Sequence, residues 1–221
     1  MVNVASGRAV IPPMVLAATL GLAAACWAAA AWLMDGMDMG LATRPGSFGF
    51  FAAAWVTMMA AMMLPGAAPV VARRARMSGR VRAAVPFTGS YLVVWALAGV
   101  VAYLLDRPHG SLAAGAVVIA AGAYELTPVK RHFRRRCRED AGSGLGYGLC
   151  CVGSGIGLMA MLVALGVMSI PWMAVITVVV LVQKLLPARP GIDVPLALAI
   201  TGFGVLIVLA PSMIPGLTPA M

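Results

Sequence analysis

Charge is scarce in this chain, and negative charge is scarcest. Only 10% of its 221 residues are charged, and just 7 are Asp or Glu. A soluble domain carries about 25% charged residues and roughly 45–50% apolar ones, whereas 62% of this chain is hydrophobic. Polar residues are too few to cover a water-soluble globule, which excludes ordinary soluble folds and disordered tails. Four cysteines do not make a disulfide scaffold. The chain has no Walker A loop, no GxGxxG and no HExxH, so nucleotide-driven and zincin chemistry is not indicated. The last apolar stretch has no Lys near its middle, which excludes a retinal protein. No repeat of about 20–50 residues is evident.

What the chain does have is apolar length. Apolar stretches cover 11–34, 48–71, 85–105, 111–127, 145–168, 170–187 and 194–214, separated by charged or Pro/Gly-rich breaks. A membrane-spanning helix needs about 20 apolar residues. The pattern predicts an all-α polytopic membrane helix bundle of about seven transmembrane helices, forming a single domain over 1–221. The tight Ser169-Ile170-Pro171 link predicts a helical hairpin of the fifth and sixth. The first stretch exceeds a signal-peptide core in length and predicts a retained signal anchor.

The formal net charge of +9 bears first on topology. Arg73, Arg74, Arg76, Arg80 and Arg82 follow the second stretch, and Lys130, Arg131, Arg134, Arg135, Arg136 and Arg138 follow the fourth. Arg8 precedes the first, and Lys184 and Arg189 close the sixth. With seven crossings these fall on one side, leaving only Arg44 and Arg107 on the other, so 14 of 16 basic residues mark one face. The positive-inside rule makes that face cytoplasmic, with the N-terminus inside and the C-terminus exoplasmic. The basic loops then read as topology signals that touch anionic lipid, not nucleic acid.

Methionine is the compositional outlier, with 16 residues. Met58, Met59, Met62 and Met63 fall in one block before Pro65. Met58 and Met62, like Met59 and Met63, are i,i+4 neighbours one helical turn apart. Paired thioethers suit a soft, low-coordinate ion such as Cu(I) and need no deprotonation. The competing reading is that Met fills the core of a helix bundle. Met37, Asp38 and Met39 form a second Met/Asp cluster in the first exoplasmic loop. It suits capture of a soft cation where Cys would oxidise, or merely solvates the loop. Met168, Met173 and Met213 fall at outer ends of spans.

Cys137, Cys150 and Cys151 fall on the cytoplasmic side, where thiols stay reduced. Adjacent residues on a helix point about 100° apart, so Cys150 and Cys151 could both ligate only on irregular backbone. The surrounding glycines would permit that, or would simply allow close helix packing. Glu125 is the only carboxylate within an apolar stretch, and an intramembrane acid is a functional-site candidate by default. A salt bridge to Lys130 or Lys184 is the plainer role. Glu125, Cys137, Cys150, Cys151 and Gln183 are all expected at one membrane depth.

Several of these residues carry a resemblance. The block Trp55-x2-Met58-Met59-x-Ala61-Met62-Met63-Leu64-Pro65 resembles a motif of a bacterial family of predicted metal-binding integral membrane proteins, a domain of unknown function sometimes labelled copper chaperone. Tyr91-x3-Trp95, Ala121-Gly122-x-Tyr124-Glu125-x2-Pro128-x-Lys130 and Cys137-Arg138 are similar to further family motifs. So are Gly148-x2-Cys151-x-Gly153-x4-Leu158-Met159, Met168-x3-Trp172-Met173 and Gln183-Lys184. The likeness runs over about residues 34–187. Phe133 stands where the family has Cys, and Ser154-Gly155-Ile156 stands for its Cys-Cys-Trp. The family's Gln is Glu125 here, and its Glu is Gln183. That exchange predicts that Glu125 and Gln183 face each other and share one task.

The resemblance implies a multi-pass protein of the bacterial cytoplasmic membrane that binds a soft metal, copper first, for delivery or transfer. Met58, Met59, Met62, Met63, Glu125, Cys137, Cys151, Met37, Asp38 and Met39 are the expected ligands, supported by Tyr124, Gln183, Lys184 and Cys150. A different class is a non-catalytic subunit or assembly factor with a degenerate metal site, bound to a membrane protein partner or a second copy. A lipid-directed enzyme finds no nucleophile–base pair.

Overall fold

Within the described residues, each of the seven apolar stretches contains a helix. A computed structural model of the chain describes residues 13–34, 47–105, 110–139, 142–166, 169–186 and 190–211. In chain order the helices are α1 (Pro13–Met34), α2 (Phe48–Ser78), α3 (Ala84–Leu105), α4 (Ser111–Glu125), α5 (Pro128–Glu139), α6 (Gly144–Gly166), α7 (Ile170–Leu185) and α8 (Pro190–Leu209). A single 3-10 turn, Val81–Ala83, leads into α3. No strand occurs among the described residues.

Five segments are long and apolar enough to cross a membrane: α1, α2, Val81–Leu105, α6 and Gly191–Leu209. Helices α4 and α5 qualify only as a pair, bent by 63° at their junction. Helix α7 is apolar but has 16 residues, or about 24 Å against a bilayer core of about 30 Å. The bundle is apolar on its outside as well as within, with Trp32 78% and Leu198 64% exposed. Water would oppose such a perimeter, and lipid would not.

Helix α2 is the central element, packing on α1, α3 and α7. Ser47 caps its start by accepting the Phe50 N–H at 3.4 Å. Gly79 ends it in the left-handed region at φ 64°, donating back to the last carbonyls. The helix outruns the apolar stretch that ends at 71. The helix continues through Pro65 and Pro69 to Ser78, carrying Arg73, Arg74 and Arg76. An apolar setting leaves freed backbone groups no solvent, so the helix persists around its prolines. Trp55 Nε1 donates to the Trp95 carbonyl at 2.9 Å and joins α2 to α3.

Helix α5 is a second departure. Residues 130–138 were expected as a basic loop, yet they form a short amphipathic helix. Pro128 presets the first turn, and Thr127 Oγ1 accepts the Lys130 N–H at 3.3 Å. Lys130 and Arg134, four residues apart, face inward, while Arg135 and Arg136 face out.

Small residues bring the remaining helices close. A Cβ on Gly115 or Gly122 of α4 would collide with Val208 or Thr201 of α8. On α6, a Cβ on Gly148 would lie 2.9 Å from Val94 Cβ, and one on Gly153 would lie 2.7 Å from Phe133 Cγ. The α6 glycines therefore serve packing. The helix is regular from Gly144 to Gly166, so the irregular backbone that would let Cys150 and Cys151 ligate together is absent.

Candidate functional site

The Lys130 side chain is 1% exposed and that of Glu125 is equally buried. Their charges meet in a direct ion pair. Gln183 completes the group from α7. Its Nε2 donates to Glu125 Oε2 at 2.7 Å, and its Oε1 accepts from Lys130 Nζ at 3.0 Å. Glu125 and Gln183 thus face each other as the family exchange predicts. One carboxylate, one carboxamide and one ammonium satisfy one another, and either helix could supply the carboxylate.

A second buried pair lies beside the first. Arg134 Nη1 donates to Asp193 Oδ1 at 2.6 Å, and Arg134 Nη2 donates to the Gln183 carbonyl at 2.7 Å. Arg134 therefore ties α5 to both α7 and α8. Asp193 was not among the expected residues, because it precedes the apolar stretch at 194. Its position in the first turn of a helix was the available signal.

The soft donors meet next to these pairs. A cavity of about 30 Å³ is lined by Met63, Cys151, Ser154, Gly155, Gln183 and Lys184 among others. Tyr91 OH lies 3.6 Å from Cys151 Sγ. Lys184 Nζ lies 3.3 Å from Tyr91 OH and 4.0 Å from Met63 Sδ. It also stands 5.7 and 5.8 Å from the ring centres of Tyr91 and Tyr147. Aromatic faces and a thioether thus surround this ammonium, an environment suited to a monovalent cation. Lys184 reaches it across Gly66, where a Cβ would collide with the Lys184 stem. Tyr147 was also unforeseen from sequence; it stacks in a row with Phe87 and Tyr91.

Cys137 approaches from α5. A hydrogen bond to Cys151, then burial, then the charge of Cys151 push the Cys137 thiol well above its usual range. Two thiols and a thioether thus stand close together, Met63 and Cys151 on the small cavity and Cys137 against Cys151. Among the described residues, no group of three or more His, Cys, Asp and Glu could hold a metal. Soft sulfur donors in low number fit Cu(I) better than a hard ion.

The remaining expected residues divide as follows. Met58, Met59 and Met62 are fully buried in α2, but only Met63 of the four lines the cavity. Cys151 lines it and Cys150 does not. Tyr124 OH donates to the Gly153 carbonyl at 2.5 Å, fixing α4 on α6. Met37, Asp38 and Met39 lie outside the described residues, as do Met168 and Met213. The positions that depart from the family pattern gather here: Ser154 and Gly155 line the cavity, and the Phe133 ring covers Gly153.

These features define an apolar multi-helix protein in which thiols and a thioether meet beside a buried ion-pair network. The chain belongs to the PpoB2 copper chaperone family, whose model matches residues 52–207. No curated protein and no solved structure matches it. The match runs from within α2 to within α8, and so includes every residue described around the cavity.

Proposed function

We propose that this chain is an integral membrane protein of the bacterial cytoplasmic membrane that binds Cu(I) and hands it on. The convergence of Met63, Cys137 and Cys151 from α2, α5 and α6 carries this reading. Copper is the cargo. Thioether and thiol donors favour the reduced ion. The four Met of α2 would pass it along the helix, Met58 and Met62 as one pair and Met59 and Met63 as the next. The Met37-Asp38-Met39 segment would capture it outside.

The same reading takes seven crossings with the N-terminus inside. Arg73 and Arg76 of α2, Arg134 and Arg138 of α5 and Lys184 of α7 line one cavity. That shared lining supports a topology that puts the basic stretches on one side.

Anaerobic Cu(I) titration against a competing chelator tests the proposal. Wild type should take up one Cu(I) in this site, and Cys151→Ser, Cys137→Ser and Met63→Leu should each lose it. Cys26→Ser, in α1, should bind as wild type does. Equal uptake by wild type and Cys151→Ser would refute the reading. The absence of thiols at Phe133, Ser154 and Gly155 supports a second one, a scaffold or assembly factor for a larger membrane complex. That reading expects no uptake by wild type and stable co-purification of a partner.

A further inference from the structure

A larger cavity of about 490 Å³ opens where α2, α5, α6 and α7 meet. Five cationic side chains line it: Arg73, Arg76, Arg134, Arg138 and Lys184. Among the described residues, no carboxylate lines it. Three of the cations are engaged. Arg134 holds Asp193, Arg138 donates to the Leu186 carbonyl, and Lys184 sits against Tyr91 and Met63. Arg73 and Arg76 are half-buried and form no ion pair among the described residues, although Arg73 lies near Tyr147. Arg73 Nε and Arg76 Nη1 are buried atoms with no hydrogen-bond partner.

That arrangement is unfavourable as it stands. A buried donor deprived of water needs an acceptor, and a charged one most of all. Arg73 and Arg76 are i,i+3 neighbours near the end of α2, so both forks lie on one side of the helix. A topology signal needs only exposed charge, and Arg80 and Arg82 supply that. It does not need guanidinium nitrogens sealed from water.

We propose that this cavity binds a phosphate-bearing anion, held by Arg73 and Arg76. Planar guanidinium groups match phosphate oxygens in bidentate fashion. A phosphate monoester carries close to two negative charges, which suits two unengaged guanidinium groups better than one carboxylate does. The volume falls within the usual range of small-molecule sites and leaves room for a substituent on the phosphate. The phosphate can come from an anionic lipid headgroup or from a soluble compound. Basic pockets between helices at a membrane face take the first. Neither arginine is a soft ligand, so the site stands or falls independently of copper.

The test uses the full chain in a neutral detergent, with two probes in calorimetric titration. One is inorganic phosphate and the other a short-chain phosphatidic acid. Wild type should bind at least one of them. The double variant Arg73→Gln/Arg76→Gln should bind it about tenfold more weakly or worse. Arg80→Gln, exposed on the same stretch, should match wild type. Binding of both probes assigns a soluble phosphate compound, and binding of phosphatidic acid alone assigns a lipid headgroup. No binding of either probe, or equal binding by the double variant, overturns the proposal. Should the double variant not fold, the single variant Arg76→Gln decides: it should bind the same probe more weakly than wild type, and equal binding overturns the proposal.

Discussion

Gln183 and Glu125, 58 residues apart, share a hydrogen bond of 2.7 Å over a buried lysine. The family places the two functional groups the other way round, and the geometry accounts for that. Lys130 Nζ contacts both side chains, so it needs one carboxylate between them and not a particular donor helix. Glu125→Gln alone leaves a buried ammonium without a counter-charge and should destabilise the protein by about 3–5 kcal/mol. Glu125→Gln combined with Gln183→Glu should recover most of that. Unfolding midpoints of the three proteins in one detergent measure it, and no recovery in the double variant would contradict the shared role.

Ser154 occupies a position where the family carries a thiol, and it lines the cavity with Cys151. Its hydroxyl now donates to the Cys151 carbonyl at 3.0 Å. Ser154→Cys adds a third thiol to the donor set, and Cu(I) affinity should rise about tenfold or more. Ser154→Ala should give no gain. Competitive titration compares the variants directly.

Copper uptake should depend on pH in a definite direction. The Cys137 thiol is held protonated by its hydrogen bond to Cys151 and by burial. A metal must displace that proton, because the thiolate is the ligand. Low pH therefore weakens binding, and rising pH strengthens it through the neutral range. For each proton released, apparent affinity should climb about tenfold per pH unit. A site made of methionines alone would show a flat profile, so the slope separates the two.

Gly66 is where the Lys184 stem crosses α2. Gly66→Ala should cost about 1–3 kcal/mol through overpacking. In a Lys184→Ala background the same change should cost much less, since the colliding stem is gone. The double-mutant cycle reads this coupling from unfolding midpoints. Additive effects would mean that Lys184 does not lie across Gly66.

The helices were legible because each apolar run exceeds any strand in length, and composition alone marks such a run. Glu125 was legible because a lone acid in an apolar stretch cannot be neutral background. Other features were hidden for identifiable reasons. Charge made α5 look like a solvated loop, although the i,i+4 spacing of Lys130 and Arg134 already drew one inward face. The last turns of α2 were hidden because Arg73, Arg74 and Arg76 end the apolar run at 71, although the backbone stays helical to Ser78. The Arg134–Asp193 pair joins residues 59 apart on separate helices, and local pattern carries no record of such a meeting. Arg73 and Arg76 read as one more count toward the positive face. Only the packing shows that one nitrogen of each, Arg73 Nε and Arg76 Nη1, is enclosed.

The 63° bend between α4 and α5 has one more consequence. Cys137 rides on the short basic helix and Cys151 on a long apolar one, so the gap between their sulfurs is a gap between two separate bodies. Lys130 and Arg134, on the same short helix, hold it to α4 through Glu125 and to α8 through Asp193. The spacing of the two thiols therefore depends on ion pairs that contain neither of them. A change in either pair would retune the jaws of the site without altering a single ligand.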